Sequence, residues 1–483
     1  MNLKVLKFGG STLTGKDAMR EIARLIKYHK GNKVIVSSAL TGVTDKLENF
    51  LKRPIFNGRP SGRYFKNGRH YGKIPMDIGT DRANRAGISE LINYLKERHQ
   101  GVMEVCTGCS MQDIYQTLKD DLDKLERLLY GIFYTEELTE KTRDLILSFG
   151  ERFSVKILEG ILRAEGVTCR SFEADKIGIV TDGDFGDASA LLNITSGNLK
   201  KRLYPLLRQG ITPIITGFFG ADEYGHTTIF GRGGSDYSAA VIAYALSAKE
   251  LILYKDVDGF MSTDPNIIPD AHLLKVISYD EAAELAYFGA KILHPKTIEP
   301  LKLKDIPMTI RNIRHPDKEG TKIQSFSYQS KDVVKSVAYG SNIAVIKVHG
   351  AGIGYKPGVL QDIVSHITNQ NINIKSVITS QTCINILLDK NDLEASFRAL
   401  SRVSLKTVDK IEPINDIVLI GIVGEGLLQK RGLAARVFKA VSEIGVNVEM
   451  ISAGHSSVAY YFIVKEPHLK KTIRAIHYEF FKV

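Results

Sequence analysis

VLKFGGST (5–12) joins an apolar, β-branched run to a pair of glycines. VLKF reads as a buried strand, and the glycines read as a turn that brings bare backbone close to a ligand. The arrangement recurs twice. KVIVSS (33–38) runs into SSALTGVT (37–44), and FGRGGSD (230–236) opens a helix at SDYSAAVIAYAL. Glycine turns let amide N–H groups approach oxyanions, and a helix N-terminus adds partial positive charge. With Lys7 and Arg232 embedded in two of them, the three turns describe an anion-binding cleft.

Outward from these turns the first 310 residues alternate strand and helix patterns. VTCRSF (167–172), GITPIIT (210–216), ELILYK (250–255) and IPMTIR (306–311) read as further strands. KDAMREIARLIKYHK (16–30) and NLKKRLYPLLRQ (198–209) read as amphipathic helices, and residues 80–165 are mostly helical in pattern. This alternation predicts an α/β class: an open, largely parallel sheet with helices on both faces. Ligands of such sheets bind beyond the carboxyl ends of the strands.

The last third is built differently. KPGVLQDIVSHITNQNINIKSVITSQTCINILL (356–388) aligns with KRGLAARVFKAVSEIGVNVEMISAGHSSVAYYF (430–462) at a constant offset of 74. Lys356 matches Lys430, Gly358 matches Gly432 and Asn373 matches Asn447. Each copy predicts a ferredoxin-like βαββαβ module, the unit being repeated twice.

Composition narrows the class. A chain of 483 residues, 43% apolar and 25% charged, is expected to form two or three globular domains. No apolar run is long enough to cross a bilayer, and MNLKVLKFGG enters a strand pattern without a leader, so the cytoplasm is the expected compartment and no membrane partner is expected. Four cysteines give no disulfide framework, and the C-x-x-C of Cys106 and Cys109 has no second ligand pair to make a zinc site, so no metal site is assigned. The net charge of +11 is concentrated in a basic insertion (52–75), whose residues 52–73 carry seven Lys or Arg and no acid. Tyr64, Phe65 and Tyr71 within it raise nucleic-acid binding, but Gly, Asn and Pro dominate and no period appears. A solvated loop is the preferred reading, and no nucleic acid is expected as a partner. The G-x-x-x-x-G-K-[ST] loop, the protein-kinase motif set and the dinucleotide-binding glycine turn are all missing.

KFGGST, SFGE (148–151), GRGGSDYSAA (231–240), KDVDGFMSTDPN (255–266) and FGAKILHP (288–295), in that order, resemble the aspartate kinases of the amino-acid kinase superfamily. The paired tail is similar to their two ACT regulatory domains. The resemblance implies a catalytic domain over 1–325 and ACT domains over 340–412 and 413–483. It implies transfer of the γ-phosphoryl of MgATP to the β-carboxylate of L-aspartate, with ATP and Mg2+ required. The acceptor carboxylate is already ionised at neutral pH and needs no general base. It needs positive charge and positioning against a second anion.

On that footing the resemblance implies roles. Lys7 reaches the transferring phosphoryl, Asp236 orients that lysine, and Gly9 and Gly10 offer amides to phosphate. Arg232 and Glu151 hold the two charged ends of aspartate, Ser38, Thr44 and Ser235 supply hydroxyls, and Phe185 lines the pocket. Asp256, Met261, Asn266 and Lys291 fall at nucleotide positions, although relatives usually carry Tyr at 261 and Arg at 266. His294 is expected to cap the turn before Pro295. Gly358, Asn373, Gly432 and Asn447 are the expected effector positions, the effector being threonine or lysine; Lys375 would repel a lysine ammonium, whereas Glu449 would accept one. A homodimer or homotetramer through the ACT domains is expected. Two alternatives stand beside this: another amino-acid kinase, and a catalytically poor paralogue acting as an amino-acid sensor.

Overall fold

LKVLKF forms β1 (Leu3–Phe8), with only Lys4 not buried. A strand buried on both of its faces belongs in the middle of a parallel sheet covered on both sides. The computed structural model places it there; it describes residues 2–53, 78–103, 110–288, 292–327, 333–402, 407–452 and 456–481. After β1 come α1 (Lys16–Tyr28), β2 (Asn32–Ser37) and α2 (Val43–Leu51). A helical stretch follows: α3 (Ile78–Met103), α4 (Ser110–Thr135), α5 (Glu140–Leu147) and α6 (Phe149–Ala164). The chain returns through β3 (Cys169–Phe172), α7 (Ala174–Ile177), α8 (Leu192–Arg208), β4 (Thr212–Thr216), the hairpin β5 (Phe219–Ala221) and β6 (Thr227–Ile229), α9 (Gly234–Ala245) and β7 (Glu250–Lys255). β8 (Val276–Ser278), α10 (Tyr279–Tyr287), α11 (Ile298–Lys302), β9 (Met308–Asn312) and β10 (Thr321–Gln324) complete this portion.

The sheet has the order β3-β4-β2-β1-β7-β9-β10-β8. β3 through β9 run parallel, and β10 pairs antiparallel with β9 and parallel with the edge strand β8. All six strands predicted in this part are present, with starts shifted by up to two residues. The hairpin β5–β6 and the short strands β8 and β10 were not predicted, because three or four residues are too few to show a period of two.

The tail comprises β11 (Ser336–Gly340), β12 (Ala344–His349), α12 (Val359–Thr368), β13 (Ile374–Thr379), β14 (Cys383–Leu388), α13 (Leu393–Ser401), β15 (Lys410–Ile414), β16 (Ile417–Val423), α14 (Leu433–Glu443), β17 (Met450–Ser452), β18 (Ala459–Lys465) and α15 (Leu469–Phe481). It makes two four-stranded sheets, β13-β14-β12-β15 and β11-β16-β18-β17. Each is covered by two helices on one face, with cores around Ile346, Ile363 and Ile386 in the first and Val418, Val437 and Phe462 in the second.

The second module departs from the expected βαββαβ order. Its fourth strand is β11, taken from upstream of the first module and paired antiparallel with β16 from Ser336↔Val423 to Gly340↔Leu419. The first module also runs to Ile414, so a boundary at 412 cuts β15. The internal repeat spans only 356–388 and 430–462 and carries no signal for either closing strand.

The chain divides into two units. The first holds Met1–Gly259, Lys275–Tyr279 and Ile292–Phe326; the second holds Phe260–Leu274, Asp280–Lys291 and Ser327–Val483. Two segments inside the expected catalytic range of 1–325 therefore pack with the ACT modules. Among the described residues no helix is long and apolar enough to cross a membrane.

Candidate active site

β1 and β7 lie side by side in parallel, Lys7 opposite Leu253, so the ends of both strands open at one edge of the sheet. Lys7 and Lys255 stand at those ends. Asp236, in the first turn of α9, lies between them. Its Oδ1 is 2.5 Å from Lys7 Nζ, and its Oδ2 accepts a hydrogen bond from Lys255 Nζ at 2.6 Å. Lys7 and Asp236 are only 4% and 5% exposed, so this pairing is dry. Burial pushes Lys7 below the ordinary lysine value, while Asp236 and Glu151 act to keep it charged. For Asp236, burial alone would raise the carboxyl, but the two ammonium groups outweigh it and hold the group well below the usual carboxylate range.

Lys255 had no role in the sequence reading. KDVDGF was recognised as a motif, but which strand neighbours β1 cannot be read from it. A lysine ending a strand that also ends in a motif turn is the signal that was available.

The glycine turn after β1 carries Gly9 and Gly10, as the sequence reading expects. Ser11 Oγ donates to Asp256 Oδ1 at 3.1 Å, bringing the expected nucleotide-side aspartate against this turn. The turn after β2 carries Ser38, buried, and Ala39, whose N–H donates to Glu151 Oε1 at 3.1 Å. A Cβ at Gly150 would stand 2.7 Å from Ala39 Cβ and 3.5 Å from Thr44 Oγ1, so α6 reaches the 38–44 turn only because residue 150 has no side chain. Ser38, Thr44 and Glu151 are thus brought together. Glu151 is buried and its Oε2 has no partner. Burial pushes its carboxyl up to about 8, against the pull of the Ala39 N–H and Lys7.

Arg152, next to Glu151, anchors α6 from the other side. Its buried guanidinium pairs with Glu173 and Asp175, donates to Thr227 Oγ1 at 3.1 Å and lies over the Phe219 ring at 4.7 Å. Asp144 on α5 holds the loop that carries Phe185: one carboxylate oxygen accepts from Gly186 N–H at 2.9 Å and Ile229 N–H at 3.0 Å. Phe185 is half-buried. Neither Arg152 nor Asp144 was singled out in the sequence. Their importance comes from the partners they meet.

Arg232 is exposed, and no ion pair is recorded for it among the described residues. Ser235 packs so closely on Gly217 that a Cβ there would lie 2.8 Å from it. His294 Nδ1 accepts from Lys296 N–H at 3.4 Å, which is the capping role expected of it. Lys296 in turn donates to Ala188 O at 2.7 Å and pairs with Asp187 at 3.1 Å.

Met261 and Asn266 belong to the second unit, where Met261 O accepts from Ser336 Oγ at 2.9 Å and Asn266 donates to its neighbour Asp264. Lys291, Cys106, Cys109 and insertion residues 54–75 lie outside the described residues. In the tail, Gly358 and Gly432 begin α12 and α14 with φ of +90° and +80°, a left-handed conformation that suits glycine. Asn373 and Asn447 are exposed, and Asn447 Nδ2 donates to Glu449 at 3.4 Å.

A buried and a half-buried lysine sharing one buried aspartate at the carboxyl ends of parallel strands, flanked by glycine turns, define a phosphotransferase of α/β fold. The comparisons agree. Residues 2–312 match the amino acid kinase family, and 339–402 and 420–480 each match an ACT domain. The chain is 32% identical over 488 residues to chloroplastic aspartokinase 1 of Arabidopsis thaliana, covering 99% of this chain and 80% of that one. E. coli aspartokinase III in complex with aspartate and ADP (R-state) superposes with a TM-score of 0.81 at 24% identity, over 99% of this chain and all of that one. The same enzyme in complex with lysine and aspartate (T-state) gives 0.78 at 24%, over the full length of both chains. The chain belongs to the aspartokinases of the amino acid kinase family.

Proposed function

We propose that this cleft transfers the γ-phosphoryl of MgATP to the β-carboxylate of L-aspartate, giving 4-phospho-L-aspartate and ADP. The acceptor oxygen bonds to γ-phosphorus as the bond to the β–γ bridging oxygen breaks. Two anions must meet, and the arrangement that supports this is the Lys7–Asp236–Lys255 cluster. Asp236 fixes both ammonium groups before substrate arrives, so little reorganisation is left for the transition state. Lys7 is assigned to the transferring group and Lys255 to positioning. Gly9, Gly10 and Asp256 face the nucleotide. Among the described residues no three His, Cys, Asp or Glu side chains converge to hold a metal. Trapping the acyl phosphate with hydroxylamine on aspartate, glutamate and acetylglutamate tests the assignment: product from aspartate alone is expected, and silence on all three overturns it.

Lys255→Met is expected to lower kcat roughly 10- to 100-fold, the worth of one charge-assisted hydrogen bond. It should also raise the pH at which Asp236 titrates. A parent-like pH profile would assign Lys255 a packing role only.

Glu151 is assigned to the aspartate α-ammonium, Arg232 to its α-carboxylate, and Ser38, Thr44, Ser235 and Phe185 to the pocket around them. Burial keeps Glu151 protonated in the empty cleft up to about pH 8. An arriving ammonium favours the ionised form, so binding releases a proton. The KM for aspartate is therefore expected to fall as pH rises toward 8, and to lose this dependence in Glu151→Gln. The same shift has a stability consequence. The native carboxyl keeps a proton that the unfolded one loses, so stability declines from about pH 4.5 to about 8. Thermal unfolding against pH checks it: the decline should shrink in Glu151→Gln.

Feedback control is assigned to the ACT modules, with threonine or lysine as effector around Gly358, Asn373, Gly432 and Asn447, and a homodimer or homotetramer as the assembly. Repeating the trapping assay with each effector tests the choice.

A further inference from the structure

Residues 181–190 form a closed loop. Thr181 and Ala190 pair antiparallel at its base, and Asp182 N–H donates to Ser189 O at 3.0 Å. Asp182 Oδ1 fastens it from within, accepting from Asp184 N–H at 3.2 Å and Ser189 N–H at 3.0 Å. Phe185 and Gly186 lie midway between the two ends. A loop presents a functional side chain accurately only where a rigid scaffold holds it.

Two side chains outside the loop do so. Asp144, on α5, is fully buried. Its Oδ2 accepts from Gly186 N–H at 2.9 Å and from Ile229 N–H at 3.0 Å. One oxygen thus joins the residue after Phe185 to the end of β6, three residues before Arg232. Asp144 Oδ1 has no hydrogen-bond partner among the described residues, so a single acceptor makes the joint. Lys296 holds the next stretch: its ammonium donates to Ala188 O at 2.7 Å and pairs with Asp187 at 3.1 Å. The same ammonium lies over the Tyr237 ring at 5.3 Å, and the Tyr237 hydroxyl accepts from Ala190 N–H at 3.1 Å.

The loop and the turn that carries Arg232 touch directly. Ala188 N–H donates to Ile229 O at 2.9 Å. A Cβ at Gly231 would stand 2.8 Å from Asp187 Oδ1 and 3.2 Å from Gly186 O, so the two backbones pack with no side chain between them. A shift of either segment therefore changes the spacing of Phe185 and Arg232. We propose that Asp144 and Lys296 are positioning residues for the phosphoryl acceptor: they set the spacing of Phe185 and Arg232, and through it the affinity for aspartate, without touching the substrate. This rests on the assignment of Phe185 and Arg232 to the aspartate pocket. At position 144 the acceptor oxygen is the operative feature, since both bonds go to one atom.

Steady-state kinetics of the full chain, with aspartate and ATP varied in turn, tests this. Asp144→Ala is expected to raise the KM for aspartate about tenfold or more, because two N–H groups lose their shared acceptor. Its kcat and its KM for ATP should stay within about threefold of the parent, since Gly9, Gly10 and Asp256 are untouched. Asp144→Asn keeps an acceptor oxygen and should stay within about threefold in all three quantities. Lys296→Met should raise the KM for aspartate by about three- to tenfold. A loss of folded enzyme alone would lower the apparent kcat and leave KM in place. If Asp144→Ala does not fold, Lys296→Met decides. A parent-like KM for aspartate in the deciding variant overturns the proposal. So does an Asp144→Asn enzyme as impaired as Asp144→Ala. A parent enzyme that leaves aspartate unphosphorylated removes the kinase assignment and this proposal together; an active parent with unmoved variants removes this proposal alone.

Discussion

Lys7→Ala is expected to lower kcat by about a thousandfold or more while leaving the dissociation constant for aspartate within a few-fold of the parent. Lys7 brings a cation to the end of β1 in a site only 4% exposed, where no water can substitute for it. The charge it meets grows as the phosphoryl group moves between oxygens, so its loss falls on the transition state more than on the ground state. Aspartate is assigned to Glu151 and the 38–44 turn, which Lys7 does not build. Removing Lys7 also leaves Asp236 with Lys255 alone at 2.6 Å, so that carboxylate stays paired and the fold is expected to survive. Steady-state kinetics with equilibrium binding of aspartate checks both halves. A kcat near the parent value would remove Lys7 from the chemistry; a large loss of aspartate affinity would move it to substrate binding.

Lys335→Met is expected to destabilise the second unit by about 3–5 kcal/mol, the cost of leaving one half of a buried ion pair behind. The Lys335 and Glu281 side chains are 2% and 1% exposed and 3.0 Å apart. Their network is well satisfied. Glu281 Oε1 accepts from Glu425 N–H at 2.7 Å, Lys335 donates to Ser327 Oγ at 2.5 Å, and Ser327 donates to Glu425 Oε2 at 2.6 Å. This ties α10 to the residues that lead into β11 and to the turn after β16. Without the lysine, Glu281 must hold an uncompensated charge or take up a proton. Denaturant unfolding followed by a probe in the ACT modules measures the loss. The double variant Lys335→Met with Glu281→Leu should recover part of it, because no charge is then stranded. A midpoint equal to the parent's would show that water reaches the pair and that the burial is not maintained in solution.

Much of the architecture follows from local chemistry. VLKF, KVIVSS and ELILYK are mostly apolar because they lie between helical layers, and each becomes a strand of the sheet core. The 74-residue offset reports two copies of one packing unit, since the same core positions recur. The glycine turns could be named because each sits where a strand ends, and Lys7, Asp236 and Glu151 because KFGGST, GRGGSD and SFGE resemble aspartate-kinase motifs.

The remainder depends on which distant segments meet. Lys255 joins Asp236 because β7, not a sequence neighbour, lies beside β1. Glu151 titrates near 8 because α6 is buried against the 38–44 turn, and sequence spacing carries no dielectric. β11 crosses over to close the second module, and the pairing of β13 with β14 slips by one residue at Lys375. Periodicity and turn chemistry are properties of a few consecutive residues, so the sequence alone determined the elements, their class and the motif residues. Register, burial and charge pairing are properties of segments far apart in the chain, and only their packing decided them.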